Sequence, residues 1–100
     1  MYICRDKHRV IIQGITGKQG TFWTERMQEY GTNVVGGVHP KKAGAIHCDV
    51  PVYASVVDAR KDGNVDATVM FVPPLDVKAA ALDSIEAGAR LVVCLTEHIP

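Results

Sequence analysis

Arg9-Val10-Ile11-Ile12-Gln13-Gly14-Ile15-Thr16-Gly17-Lys18-Gln19-Gly20-Thr21 is the stretch on which the reading of the fold turns. Its first five residues, Arg9 to Gln13, are a β-branched run of strand length. Glycines at 14, 17 and 20 follow with the spacing G-x-x-G-x-x-G, and Thr21 to Tyr30 then reads as a helix ending at Gly31. In that helix Trp23, Met27 and Tyr30 fall four and three apart, the spacing of a core-facing stripe. A strand, a glycine loop and a helix in succession form the first half of a β-α-β unit.

Outward from this stretch the same alternation continues. Asn33 to Val38 reads as a second strand, Pro40 to Val50 as a loop, and Pro51 to Ala54 as a short strand whose leading proline suits an edge. Ser55 with Asp58 three residues on starts a helix to Asp62. Ala67 to Val72 is an apolar strand broken by Pro73-Pro74, and Asp76 caps a helix over Val77–Ala87. The apolar side of that helix is carried by Val77, Ala80, Ala81 and Ile85, and Leu91 to Leu95 is the last strand. Strands that are apolar throughout are covered on both faces and therefore parallel. The fold class is α/β: a Rossmann-like, doubly wound parallel sheet with strand order 3-2-1-4-5.

One hundred residues make one domain, 1–100, with a length sufficient to bury roughly 65% of its unfolded surface. Eleven basic residues balance eleven acidic ones, so no nucleic-acid-binding face and no charged membrane surface are expected. No apolar run approaches a membrane span. Met1 to Arg9 places charges where a secretion signal needs an apolar core. Cys4, Cys48 and Cys94 are odd in number and widely spaced, as free thiols in a reducing compartment would be. A cytoplasmic location, or the mitochondrial matrix in a eukaryote, is the expectation.

In such a sheet a ligand binds beyond the carboxyl ends of the strands, at the switch between strands 1 and 4. The glycine loop lies there. Its backbone amides and the helix N-terminus would meet a phosphate, with the Thr16 hydroxyl beside them; the competing reading is a tight turn needing glycine for sterics alone. A side chain at Gly17 would fill the space through which those amides approach an anion, and a positive φ is expected there. Where an NAD-binding domain places an acid for the ribose hydroxyls, this chain has His39-Pro40-Lys41-Lys42. Lysines there favour an extra ribose phosphate, as in NADP or in coenzyme A, against a merely solvated pair. His39, His47 and Cys48 match no zinc spacing, so no metal is expected. Cys94 reads as a buried small hydrophobe and Glu97 as a ligand contact or turn cap rather than a general base. No catalytic residue is legible.

Several longer motifs then carry a resemblance. Val-Ile-Ile-Gln-Gly-Ile-Thr-Gly-Lys-Gln-Gly-Thr-Phe (10–22), Glu-Tyr-Gly-Thr (29–32), Val-Gly-Gly-Val-His-Pro-Lys-Lys (35–42), Pro-Val-Tyr (51–53), Phe-Val-Pro-Pro (71–74) and Thr-Glu-His-Ile-Pro (96–100) run in register over the chain. Together they closely resemble the N-terminal coenzyme A-binding domain of the succinyl-CoA synthetase (succinate–CoA ligase) alpha subunit. The resemblance implies a coenzyme A site at Thr16, Gly17, Lys18 and Gln19, with Lys42 near phosphate. It places Phe71, Val72 and Pro73 beside the adenosine part, and Leu95, Thr96 and Glu97 also on the ligand. Lys41 and Ala43 stand where that family has glycines, His98 likewise, and His47-Cys48-Asp49-Val50 replaces a more apolar stretch.

The resemblance further implies a beta subunit as partner and a phosphohistidine domain in the same subunit, whose motif none of His8, His39, His47 and His98 matches. The expected role is therefore coenzyme A binding within an acid–CoA ligase that uses a nucleoside triphosphate, without catalysis by these hundred residues alone. A stand-alone coenzyme A- or acyl-CoA-binding module and an NADP-binding domain are the competing readings. Strand 5 lacks a following helix, so self-association through its exposed side is also expected.

Overall fold

Val10–Gln13 forms β1, buried at every position, and the computed structural model that shows this describes residues 8–72 and 74–94. Around it lie α1 (Lys18–Glu29), β2 (Val34–Val38), β3 (Ile46–His47), β4 (Val50–Tyr53), α2 (Val56–Arg60), β5 (Ala67–Met70), α3 (Val77–Glu86) and β6 (Leu91–Cys94), with a 3-10 turn at Pro74–Asp76. The strands form one sheet in the order β3-β4-β2-β1-β5-β6. Five of them pair in parallel in the expected 3-2-1-4-5 arrangement. Successive residues of β1 feed opposite faces: Val10 and Ile12 join Ile15, Val52 and Val69 on one side, and Ile11 joins Val38, Val56 and Ala59 on the other. The sheet is thus wound on both faces, as the apolar strands require.

The sheet differs from the expectation by one strand. The segment read as a loop, Pro40 to Val50, contains β3, which pairs antiparallel with β4 through Ile46↔Pro51 and His47↔Val50. Pro51 therefore lies on an inner strand rather than an edge. The hairpin turn is Cys48-Asp49, both residues at positive φ (52° and 65°). This is the geometry that Asn-Gly signals in a sequence, and Cys-Asp gives no such signal. The turn is held from outside: Gln28 Nε2 donates to the Cys48 carbonyl at 2.8 Å, and His47 Nε2 lies 2.7 Å from Thr21 Oγ1. Burial, then the charges of Glu25 and Asp49, push the Cys48 thiol pKa up. The double substitution Cys48→Asn with Asp49→Gly should stabilise the chain by about 1 kcal/mol. That is a rise in melting temperature of roughly 4–8 °C by thermal circular dichroism; an unchanged melt would show that the α1 contacts already absorb the strain.

Helix α1 also differs from its reading. It begins at Lys18 rather than Thr21, and its buried line is Gly20 and Thr24, with Met27 partly buried. Trp23 is 44% exposed and Tyr30 85% exposed, so they are not core. The rotation is set at the N-terminus, where Gly20 approaches the Gly14 carbonyl so closely that a Cβ would lie 2.2 Å from its oxygen. Backbone contact between loop and helix outweighs the larger apolar residues. Similarly, Ile85 on α3 is 62% exposed, while Ser84 is the buried residue of that helix. Asp76 occupies the N-cap position without a side-chain cap bond, because the 3-10 turn leads into the helix there. No helix among the described residues is long and apolar enough to cross a membrane.

Candidate functional site

The tip of β1 is joined to both neighbours. The Gly14 amide donates to the Val38 carbonyl at 3.0 Å, and the Phe71 amide donates to the Gln13 carbonyl at 2.8 Å. Gly14 has φ +79°, and a Cβ there would lie 2.2 Å from the Phe71 oxygen, so only glycine fits this crossing. From that point the chain turns into α1 through Gly17, the N-cap, with no side-chain cap bond and no acid in the first turn. The φ of Gly17 is −74°, not positive. The residue needing a left-handed conformation is Gly14, because it, not Gly17, crosses between strands.

Here a cleft of about 530 Å³ opens. Its floor and one rim are Gln13, Gly14, Thr16 and Gly17; a second rim is Val38, His39 and Pro40. Phe71, Val72 and residues of the α3 segment, including Asp76, Ala80 and Asp83, complete the lining. This is the switch point of the sheet, between the ends of β2, β1 and β5. Most of the wall is apolar, and the uncapped amides of α1 supply a partial positive charge at one end.

The floor is rigid. Gln13 is 2% exposed and both ends of its amide are used: Nε2 donates to the Ala80 carbonyl at 3.0 Å, and Oε1 lies 2.9 Å from the Ser84 hydroxyl. Thr68 in turn donates to Ser84 Oγ at 2.8 Å. Beside this network Asp83 accepts from the Val56 and Val57 amides at 2.7 and 3.2 Å, capping α2 from α3. The α3 wall is thereby tied to β1, β5 and α2 at once.

Of the residues singled out in the sequence, Thr16, Gly17, Phe71 and Val72 meet at the cleft. Lys18 and Gln19 are exposed on the first turn of α1, off its walls. Gln19 Oε1 accepts from Trp23 Nε1 at 3.0 Å, which leaves the amide N–H groups of Gln19 to donate elsewhere. Lys42 is exposed in the turn that follows the lining residues His39 and Pro40. Pro73, Leu95, Thr96 and Glu97 lie outside the described residues. Sequence reading missed Gln13, Asp76 and Asp83. A polar residue closing an apolar strand was a signal for Gln13, whereas an acid within a helix is ordinary and gave none for Asp83.

Known proteins resemble this chain over nearly its whole length. A family model described as the CoA binding domain matches residues 5–98. A mitochondrial succinate–CoA ligase (ADP-forming) subunit alpha-2 of Trichomonas vaginalis is 47% identical over 100 residues, covering 100% of this chain and 32% of that protein. A subunit of an ADP-forming sulfoacetate–CoA ligase of an Acholeplasma species is 45% identical over 92 residues, covering 92% of this chain and 31% of that protein. The chain thus spans about a third of the length of the curated relatives it matches. Among solved structures a Rex-family repressor aligns with TM-score 0.75 at 20% identity, covering 93% of this chain and 48% of that one, a likeness of fold.

Proposed function

The chain belongs to the CoA binding domain family, and on that premise we propose that its cleft holds coenzyme A as the binding domain of an acid–CoA ligase alpha subunit. The observation that carries this is the Gly14–Gly17 turn, bonded to β2 and β5 and leading into an uncapped α1 at the rim of an apolar cleft. Backbone amides of the first turn, with Lys18 and Gln19 beside them, take the diphosphate. Phe71 and Val72 offer an apolar surface to the adenosine, and Pro73, Leu95, Thr96 and Glu97 complete the set implied by the family motifs. The basic turn with Lys42 faces the ribose phosphate, where NAD-binding domains carry an acid. Domain 1–100 is on this reading a binding unit: it presents the thiol carrier to a ligase whose phosphohistidine domain and beta subunit are implied by the family resemblance.

Calorimetric titration tests it. Coenzyme A should bind about tenfold or more tightly than dephospho-coenzyme A, the value of one charge-assisted contact, and more tightly than NADPH. Lys42→Ala should shrink the first ratio and weaken the salt dependence of binding. Equal affinity for coenzyme A and dephospho-coenzyme A would remove the basic turn from phosphate recognition.

A further inference from the structure

We propose, on the foundation of the coenzyme A reading, that His39 is the residue that reads the ribose phosphate at short range, as an Nε2–H donor. Three observations lead there. The Lys41 amide donates to His39 Nδ1 at 3.2 Å, so Nδ1 is the acceptor and the ring proton sits on Nε2. The ring is therefore fixed in tautomer by its own turn. That turn is itself firm: the His39 amide donates to the Tyr53 carbonyl and the Lys42 amide to the His39 carbonyl, each at 3.0 Å.

Position is the second observation. His39 follows the last residue of β2 and lines the cleft, where a doubly wound sheet receives the ribose of a nucleotide. Lys41 and Lys42 are exposed and are not part of the cleft wall. They add a positive field to the turn, while His39 offers a directed donor within it.

Charge is the third. Among the described lining residues the charged side chains are Asp76 and Asp83, and the exposed Lys41 and Lys42 stand next to the β2 rim. Asp83 is already engaged by the amides of α2. A phosphate on the ribose is thus drawn toward the Lys41-Lys42 field, where His39 is the donor on the cleft wall. Discrimination between a phosphorylated and an unphosphorylated ribose then depends on His39 together with the Lys41-Lys42 field.

The test uses a variant that separates the two nitrogens. In His39→Asn the side-chain oxygen accepts the Lys41 amide, as asparagine does in turns, while the distal N–H donor is lost. Coenzyme A and dephospho-coenzyme A are titrated into the wild-type chain, into His39→Asn and into His39→Ala, with thermal melts alongside. The expected result is a wild-type melt for His39→Asn, about a tenfold loss of affinity for coenzyme A, and unchanged affinity for dephospho-coenzyme A. His39→Ala should show the same loss of selectivity and a lower melt as well. If His39→Asn keeps the wild-type ratio between the two ligands, or loses affinity for both equally, His39 does not read the phosphate and the proposal falls. If the wild-type chain binds neither ligand, the coenzyme A reading itself falls, an outcome separate from the first two.

Discussion

Gly14→Ala is expected to abolish coenzyme A binding and to lower the melting temperature by roughly 15–30 °C. The added Cβ would lie 2.2 Å from the Phe71 carbonyl oxygen and 2.9 Å from its carbon, which are backbone atoms that no rotamer change can remove. The residue is also held at φ +79°, a conformation costing a side chain about 1–2 kcal/mol. Adding the cost of forcing apart a packed crossing, the loss is about 3–5 kcal/mol, a large part of the stability of a small domain. The tips of β1 and β5 would separate, and with them the floor of the cleft. Gly17→Ala is the control. Its backbone is extended, and its Cβ would meet only the Gly14 oxygen at an ordinary 3.6 Å. This variant should melt as wild type. If Gly14→Ala melts like Gly17→Ala, the crossing is not the constraint described.

Ser84→Ala is expected to cost about 2–4 kcal/mol by chemical denaturation, far more than an ordinary helix substitution to alanine. Ser84 is fully buried and receives the Thr68 hydroxyl at 2.8 Å while lying 2.9 Å from Gln13 Oε1. Its removal leaves two buried polar groups without that partner, each worth about 1–3 kcal/mol when unsatisfied. Gln13 would also lose one of the two bonds that hold it against α3, so ligand affinity should fall with stability. Combining Thr68→Val with Ser84→Ala should cost less than the sum of the single changes, since the shared bond is lost only once. Strict additivity would show that the network does not act as a unit.

Much of the fold was legible because it rests on local pattern. The apolar runs at Val10–Gln13, Ala67–Met70 and Leu91–Cys94 required cover on both faces, and the glycine loop marked the switch point. The parallel strand order was read from a short third strand followed by a helix and a strong fourth strand. The β3–β4 hairpin did not follow, because Cys48 and Asp49 adopt positive φ under contacts from α1 rather than by their own preference. The Trp23–Met27–Tyr30 stripe misled for a related reason: apolar spacing predicts a buried face only where side chains set the helix rotation, and here Gly20 against Gly14 sets it.

The sequence by itself determined the alternation of strand and helix, the parallel sheet, the place of the cleft and, through its longer motifs, the family. These are properties of residues near one another in the chain, where periodicity and turn chemistry act directly. Only the tertiary structure decided which glycine bears the crossing, which polar groups hold the cleft floor, and which backbone amide meets His39 Nδ1. Gly14 meets Phe71, Gln13 meets Ser84, and Asp83 meets Val56 across long stretches of chain. A steric limit or a shared hydroxyl between such partners exists only once the sheet has brought them together. The contact between His39 and Lys41 is local in sequence, two residues apart, yet it too needed the folded turn that points the Lys41 amide at Nδ1.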